Sequence, residues 1–127
     1  MSPLRPLIGT ALATLLLGSQ WGCFACPDGT LKRVDGVEPV QPGAQISLAL
    51  HYDETLEAGP ERCVGYWTVN GVVGGDPSVG TIDACGHYTA PLGATLTAVE
   101  IEGARYAPDA CADCCPYATR RVALAGP

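Results

Sequence analysis

Residues 66–71 read YWTVNG, and this stretch decides the fold. Trp67 and Val69 alternate with Tyr66 and Thr68, which is the two-residue period of a β-strand that buries one face. The Asn-Gly pair that ends the stretch strongly favours a tight hairpin turn. We therefore predict a short strand with a buried tryptophan, followed directly by a reversal of the chain.

Strands with the same alternation are predicted on both sides of this stretch. QISLALHY at 45–52 is expected to bury one face and to turn Ser47, Ala49 and His51 toward solvent. Further strands are predicted at 80–83, 87–90, 94–102 and 118–125, with a weaker one before position 42. The side chains expected to form the core are Leu48, Trp67, Ile82, Tyr88, Leu96 and Val122.

Together these strands predict an all-β fold. The sequence has no stretch with the apolar stripe of an amphipathic helix. About seven short antiparallel strands, with a tryptophan on the third, indicate an immunoglobulin-like sandwich of two sheets. Residues 26–127 are expected to form a single domain, in which 103–117 is a long, cysteine-rich loop.

One segment also resembles a known family. Residues 66–91, YWTVNGVVGGDPSVGTIDACGHYTAP, are similar to the middle of bacterial immunoglobulin-like (Big-type) domains, in which a W-x-V-N-G turn, a G-T-I strand and a G-x-Y-T-A-P strand recur. QPGAQISLAL and ATLTAVE stand where that family has its second and sixth strands, so the resemblance covers most of 37–125. It implies a sandwich that serves as an extracellular or cell-surface spacer or adhesive module, here a single copy with an added cysteine-rich pole.

The N-terminus has the build of a secretory signal. One basic residue precedes the apolar run LIGTALATLLLG, which is too short to span a bilayer, and small residues follow it. Cleavage before Cys26 would make 1–25 a signal peptide. A lipoprotein signal ending at position 22 would instead leave Cys23 to be lipidated, although Gln20 stands where such signals usually have leucine. Both routes predict export, to the periplasm, the extracellular space or a lipid anchor on the cell envelope.

Once Cys23 is removed or acylated, six cysteines remain, an even number that suits a disulfide framework in an exported chain. They are Cys26, Cys63, Cys85, Cys111, Cys114 and Cys115. In the predicted sandwich, the segments that carry them all lie at one pole, so the six are expected to gather there. We expect three bridges and favour those that tie the loop at 103–117 to Cys26, Cys63 and Cys85.

The charge of the mature chain limits its partners. Loss of Arg5 leaves six basic residues against thirteen acidic ones, a net charge near −7. This argues against nucleic acid and anionic membrane surfaces, so that a lipid would be the only contact with a membrane. We expect a structural or binding module of the bacterial cell envelope with no enzymatic activity, cofactor or metal. An unknown protein or cell-surface partner is expected at Tyr106, Asp109 and Asp113.

Two further functions stay open. Cys111 and Cys114 have a spacing common in zinc sites and, with other cysteines or His87, could bind zinc or take part in thiol redox chemistry. A small secreted protease inhibitor is the third interpretation, based on size and cysteine density. His51 and His87 are expected at the solvent-exposed surface, and the acidic segment 53–61 is expected to be a solvated loop.

Overall fold

The computed structural model of the chain describes residues 29–93, 95–110 and 115–126. The predicted signal segment, Cys23, Cys26, Cys111, Asp113 and Cys114 lie outside these residues. The described part of the chain contains ten strands, which are β1 (Gly29–Asp35), β2 (Gln45–Tyr52), β3 (Thr55–Ala58), β4 (Tyr66–Val69), β5 (Val72–Val73), β6 (Gly75–Asp76), β7 (Gly80–Ile82), β8 (His87–Thr89), β9 (Ala98–Ala104) and β10 (Tyr117–Ala123).

The strands form two antiparallel sheets. The first has the order β1-β2-β8-β7-β6, with β3 also paired to β2, and the second has the order β10-β9-β4-β5. Without the short β3, β5 and β6, the first sheet joins the first, second, fifth and fourth strands, and the second joins the third, sixth and seventh. This is the strand order of the immunoglobulin-like sandwich. The predicted all-β, two-sheet fold is therefore confirmed.

Between β1 and β2 the chain crosses from the first sheet to the second. Val40 forms a parallel bridge with Leu124, beside the end of β10. The carboxylate of Glu38 anchors the crossing segment, because it accepts hydrogen bonds from Arg120 Nη2 at 2.6 Å and from the backbone N–H of Ala123 at 3.2 Å. Arg33 lies 3.6 Å from the same carboxylate. The crossing segment is thus tied to both sheets by one half-buried charge.

The core lies between the sheets and is centred on Trp67, which is 3% exposed. Three glycines lie against its indole ring, and a Cβ on Gly86 would come within 2.9 Å of the ring while those on Gly65 and Gly103 would come closer still. The indole N–H donates to the carbonyl of Ala84 at 3.2 Å. The ring fits because these backbones present no side chain to it.

The other expected core residues are also placed by the structure. Leu48, Tyr88 and Val122 have no exposed surface, and Ile82 is buried. Leu96 is only partly buried and packs against the edge of the core.

Several expected boundaries were wrong. The strand predicted at 94–102 is β9, which spans Ala98–Ala104. It includes Gly103, where the absence of a side chain leaves room for the indole of Trp67. Both ends of the loop expected at 103–117 therefore belong to strands. Part of the acidic segment expected to be a solvated loop is instead β3, which pairs with β2 through a two-residue turn at Asp53 and Glu54. Both turn residues have the positive φ that such a turn requires.

Candidate ligand cleft and the adjacent disulfide

The outer face of β2 is covered, contrary to the half-buried strand predicted. Ser47 and Ala49, expected to face solvent, are 6% and 3% exposed. The turn at 59–62 packs on Ala49, and it is closed by reciprocal backbone hydrogen bonds of 3.0 Å between Gly59 and Arg62. A Cβ on Gly59 would lie 3.1 Å from the Cβ of Ala49, so glycine allows this turn to pack directly on the strand. The prediction failed because the cover is a loop, which has no periodic pattern.

A cleft of about 440 Å³ remains between this turn, β1 and the outer face of β2. This volume lies within the range of roughly 300–1,000 Å³ that is typical of small-molecule sites. Its wall combines apolar and polar side chains, which are Val34, Asp35, Ser47, Ala49, His51, Leu56, Pro60, Glu61 and His87. The two histidines of the chain, on different strands, both contribute to it.

His51, a residue of the cleft wall, carries an unsatisfied polar atom. Its Nδ1 is closed off from solvent, and no hydrogen-bond partner for it lies among the residues that the structure describes. A buried polar atom of this kind costs about 1–3 kcal/mol relative to a hydrogen-bonded one. His51 as a whole is half-buried, because β3 pairs with β2 beside it.

The charged groups of the cleft have one sign. Asp35 at the end of β1 and Glu61 in the covering turn line it, and neither lysine nor arginine is among the described residues of its wall. Two exposed carboxylates in the wall favour a negative potential, which attracts cations, and a described guanidinium beside the wall, that of Arg62, donates to the Leu56 carbonyl at 3.4 Å. The cleft thus combines apolar contact with negative charge, and one of its wall residues holds a buried ring nitrogen that is unpartnered within the described residues.

Next to the cleft, Asp83 orders the turn between β7 and β8. Its Oδ1 accepts the backbone N–H groups of Cys85 and His87 at 2.9 and 3.0 Å, and its Oδ2 lies 3.1 Å from Nδ1 of His87. Burial tends to raise the pKa of Asp83, but these hydrogen bonds and the nearby imidazole outweigh it and hold the pKa below its usual value. The turn, the carboxylate and the imidazole therefore form one hydrogen-bonded unit.

This turn is joined to the β3–β4 loop by a disulfide between Cys63 and Cys85. The favoured pairing of both cysteines with the loop at 103–117 was wrong, since the β3–β4 loop and the β7–β8 turn lie side by side at this pole and bond to each other. Cys115 is also disulfide-bonded. A bond between segments 22 residues apart contributes on the order of 3 kcal/mol by restricting the unfolded chain.

Groups with metal-ligand chemistry also gather here. A carboxylate oxygen of Asp83, the sulfur of Cys85 and a ring nitrogen of His87 lie within 4.8 Å of one another. The sulfur is bonded to Cys63, so it is not available as a thiolate in this state. Cys111 and Cys114, the pair with zinc-like spacing, lie outside the described residues.

The expected partner surface lies at the same pole. Tyr106 is 47% exposed and Asp109 is exposed, while Asp113 lies outside the described residues. Arg105 stacks over the Tyr106 ring at 5.2 Å and also lies 3.4 Å from Glu57. Tyr117, which was not among the residues predicted for this surface, is 57% exposed at the start of β10.

The register shows how the sequence could have revealed Tyr117. Tyr66 and Tyr117 both stand opposite Ala104, so the strand pairing places the two tyrosines on the same face of the second sheet. Because this face alternates with the one that holds Trp67, it points away from the core. The pairing of the sixth and seventh strands would have sufficed to find it.

Comparisons of the chain with protein-family models, curated proteins and solved structures find no match. The fold itself defines the class as an immunoglobulin-like β-sandwich with a disulfide at one pole. Across the described residues, no helix has the length and apolar character needed to cross a membrane.

Proposed function

We propose that the chain is an exported, non-enzymatic binding module of the bacterial cell envelope, and that the cleft beside β2 binds its ligand. One observation carries this proposal: a strand face that would normally be solvated is enclosed, and it retains a buried His51 Nδ1 with no partner among the described residues. An apolar side chain in place of His51 would remove the cost of that atom. A ligand that supplies a hydrogen bond offers a reason to keep it.

The chemistry of the cleft favours a small amine-bearing ligand, such as the side chain of a lysine residue in a peptide. An ammonium group donates hydrogen bonds, and His51 Nδ1 can accept one when its proton is on the other ring nitrogen and the ring turns this buried atom toward the cleft. Asp35 and Glu61 supply the opposite charge. Leu56 and Pro60 provide apolar contact for a methylene chain, as expected for a long side chain with a charged end.

Titration of the isotope-labelled chain with Nα-acetyl-lysine amide, followed by NMR, tests this proposal. Saturable shifts are expected at the backbone amides of Ser47, Ala49 and His51, and the double variant D35N/E61Q should weaken binding by roughly tenfold because two attractive charges are lost. Nα-acetyl-norleucine amide is the matched probe, since it retains the methylene chain without the charge. Equal shifts with both probes, or shifts located elsewhere, would contradict the proposed ligand class.

The exported location rests on the N-terminal sequence, and the proposed kinship with bacterial immunoglobulin-like domains rests on the motifs in 66–91. Lipidation of Cys23 and cleavage before Cys26 give different intact masses for the exported chain, which is the measurement that separates them. Tyr106 and Asp109 are proposed to form a second contact surface, for a protein or cell-surface partner. Their exposure on the segment that links β9 to β10 supports this role.

A further inference from the structure

The two sulfurs of the Cys63–Cys85 disulfide have different surroundings. Cys63 lies in an exposed part of the β3–β4 loop, whereas Cys85 is half-buried in the turn that Asp83 orders. A ring nitrogen of His87 lies within 4.8 Å of the Cys85 sulfur. An incoming thiol therefore meets Cys63 from solvent. Beside Cys85 lie the Asp83 carboxylate, which disfavours a negative sulfur, and the His87 ring that this carboxylate holds at 3.1 Å, which can protonate the leaving sulfur.

We propose that this disulfide is not only a structural bridge but an exchangeable bond that accepts electrons from an external dithiol. A thiolate of the dithiol attacks the sulfur of Cys63, the bond to Cys85 breaks, and the electron pair leaves on the Cys85 sulfur. His87 donates a proton to that sulfur. The second thiolate of the dithiol then attacks the mixed disulfide, releases the Cys63 thiolate and completes the oxidation of the dithiol.

The balance of this exchange is closed. One disulfide is reduced to two thiols, one dithiol is oxidised to a disulfide, and two electrons pass between them. The dithiol releases two protons to solvent as its thiolates form. One returns through His87, whose side chain is 33% exposed, to the Cys85 sulfur, and the other is taken from solvent by the released Cys63 thiolate. Each chain exchanges one disulfide and does not turn over as a catalyst. The exchange goes beyond the proposed binding function and does not depend on it, because it needs no ligand in the cleft.

The neighbouring contacts allow the bond to open while the sandwich stays folded. The backbone N–H of Gly65 donates to the carbonyl of Ala84 at 3.2 Å, and the indole of Trp67 donates to the same carbonyl. Both hydrogen bonds join the two linked segments independently of the sulfurs. The hydrogen bonds of Asp83 to the turn likewise remain after the bond opens.

Reaction of the oxidised full chain with glutathione tests the proposal, because this monothiol stops at the mixed disulfide. Samples are quenched with acid, alkylated and mapped by mass spectrometry. The first adduct is expected on Cys63, with Cys85 recovered as the alkylated thiol. H87A is expected to react at least about tenfold more slowly, in keeping with the loss of a general acid. Added imidazole should restore part of the rate, which a purely structural role for His87 would not allow.

Two variants serve as controls. H87N retains a side-chain amide that can bond to Asp83, so it keeps the turn but removes the acid, and it should be as slow as H87A. R121A removes an exposed charged side chain on β10 and should react at the rate of the unaltered chain. Circular dichroism establishes that each variant is folded.

Three results would overturn the proposal. The first is an adduct that forms on Cys85 before Cys63. The second is H87N reacting as fast as the unaltered chain. The third is exchange that proceeds only at the rate of global unfolding, measured by hydrogen exchange of the Leu48 and Ile101 amides. That last outcome would show a purely structural bridge.

Discussion

The two faces of β2 are both buried, but they are buried by different kinds of structure. Ile46, Leu48 and Leu50 are at most 1% exposed on the inner face, where a whole sheet packs on them. On the outer face, Ser47 and Ala49 are also buried, a single turn packs on Ala49, and about 440 Å³ remains beside them. A sheet fills the space it covers, whereas one turn encloses space without filling it. Burial alone therefore does not distinguish a core from a binding cleft.

The largest expected effect on stability comes from comparing two leucine truncations, one on the inner face of β2 and one in the cleft wall on β3. L48A removes a fully buried side chain from the close-packed inner face and should lower the free energy of unfolding by about 2–5 kcal/mol. L56A shortens a half-buried side chain in the cleft wall, next to existing space, and should cost less than about 1 kcal/mol. Denaturant unfolding at neutral pH measures both.

The pair serves as its own control, since the same atoms are removed at both positions. Similar losses for L48A and L56A would contradict the contrast between the faces. They would mean that the outer face is packed as tightly as the core.

A smaller effect is expected where β1 leaves the first sheet, just beyond the cleft wall at Val34 and Asp35. Burial tends to raise the pKa of Glu38, but its hydrogen bonds to Arg120 and Ala123, with the charges of Arg120 and Arg33, lower it below 4.5. E38Q removes the charge and should cost about 1–2 kcal/mol at pH 7. Measuring the stability of E38Q tests how much the contact between the segment after β1 and the opposite sheet contributes.

The pH dependence follows from the direction of that shift. A carboxyl with a depressed pKa in the folded state binds protons more readily when unfolded, so its contribution is present above about pH 4.5. It is lost as the pH falls through the lower pKa of the folded state. The difference in unfolding free energy between the unaltered chain and E38Q should therefore shrink in acid. A constant difference across this window would show that Glu38 acts by packing alone.

The inner face could be predicted from the sequence because its signal is periodic. The alternation in 45–52 and 66–69 identified Leu48 and Trp67 as inward, and both are buried. The outer cover could not be found in this way, since 59–62 is a turn whose backbone, not its side chains, reaches Ala49. Local signals for β3 were present in the acidic turn at 53–54 and the short alternation after it. These local signals do not by themselves predict a strand. Only the pairing of β3 with β2, which is a tertiary contact, identifies the segment as one.

The disulfide shows the same limit. The sandwich topology predicted that Cys63 and Cys85 would lie at one pole, but six cysteines allow fifteen pairings, and spacing along the chain does not choose among them. The choice is made by the side-by-side position of two loops. The Asp83–His87 hydrogen bond likewise depends on the tight β7–β8 turn, in which Gly86 takes a positive φ of 78°.

The smallest expected effect is a gain in stability on the outer face. H51L replaces a buried ring nitrogen, unpartnered within the described residues, with apolar surface and should raise the free energy of unfolding by up to about 1 kcal/mol. The same change should abolish the NMR shifts caused by Nα-acetyl-lysine amide, because the acceptor for the ammonium group is lost. H51Q, which keeps a polar side chain, should give no such gain. If H51L is more stable but still binds the probe, the unsatisfied nitrogen is not the acceptor for the ligand. A destabilised H51L would mean that the imidazole is held by packing, so that the outer face would have to be described as a second core.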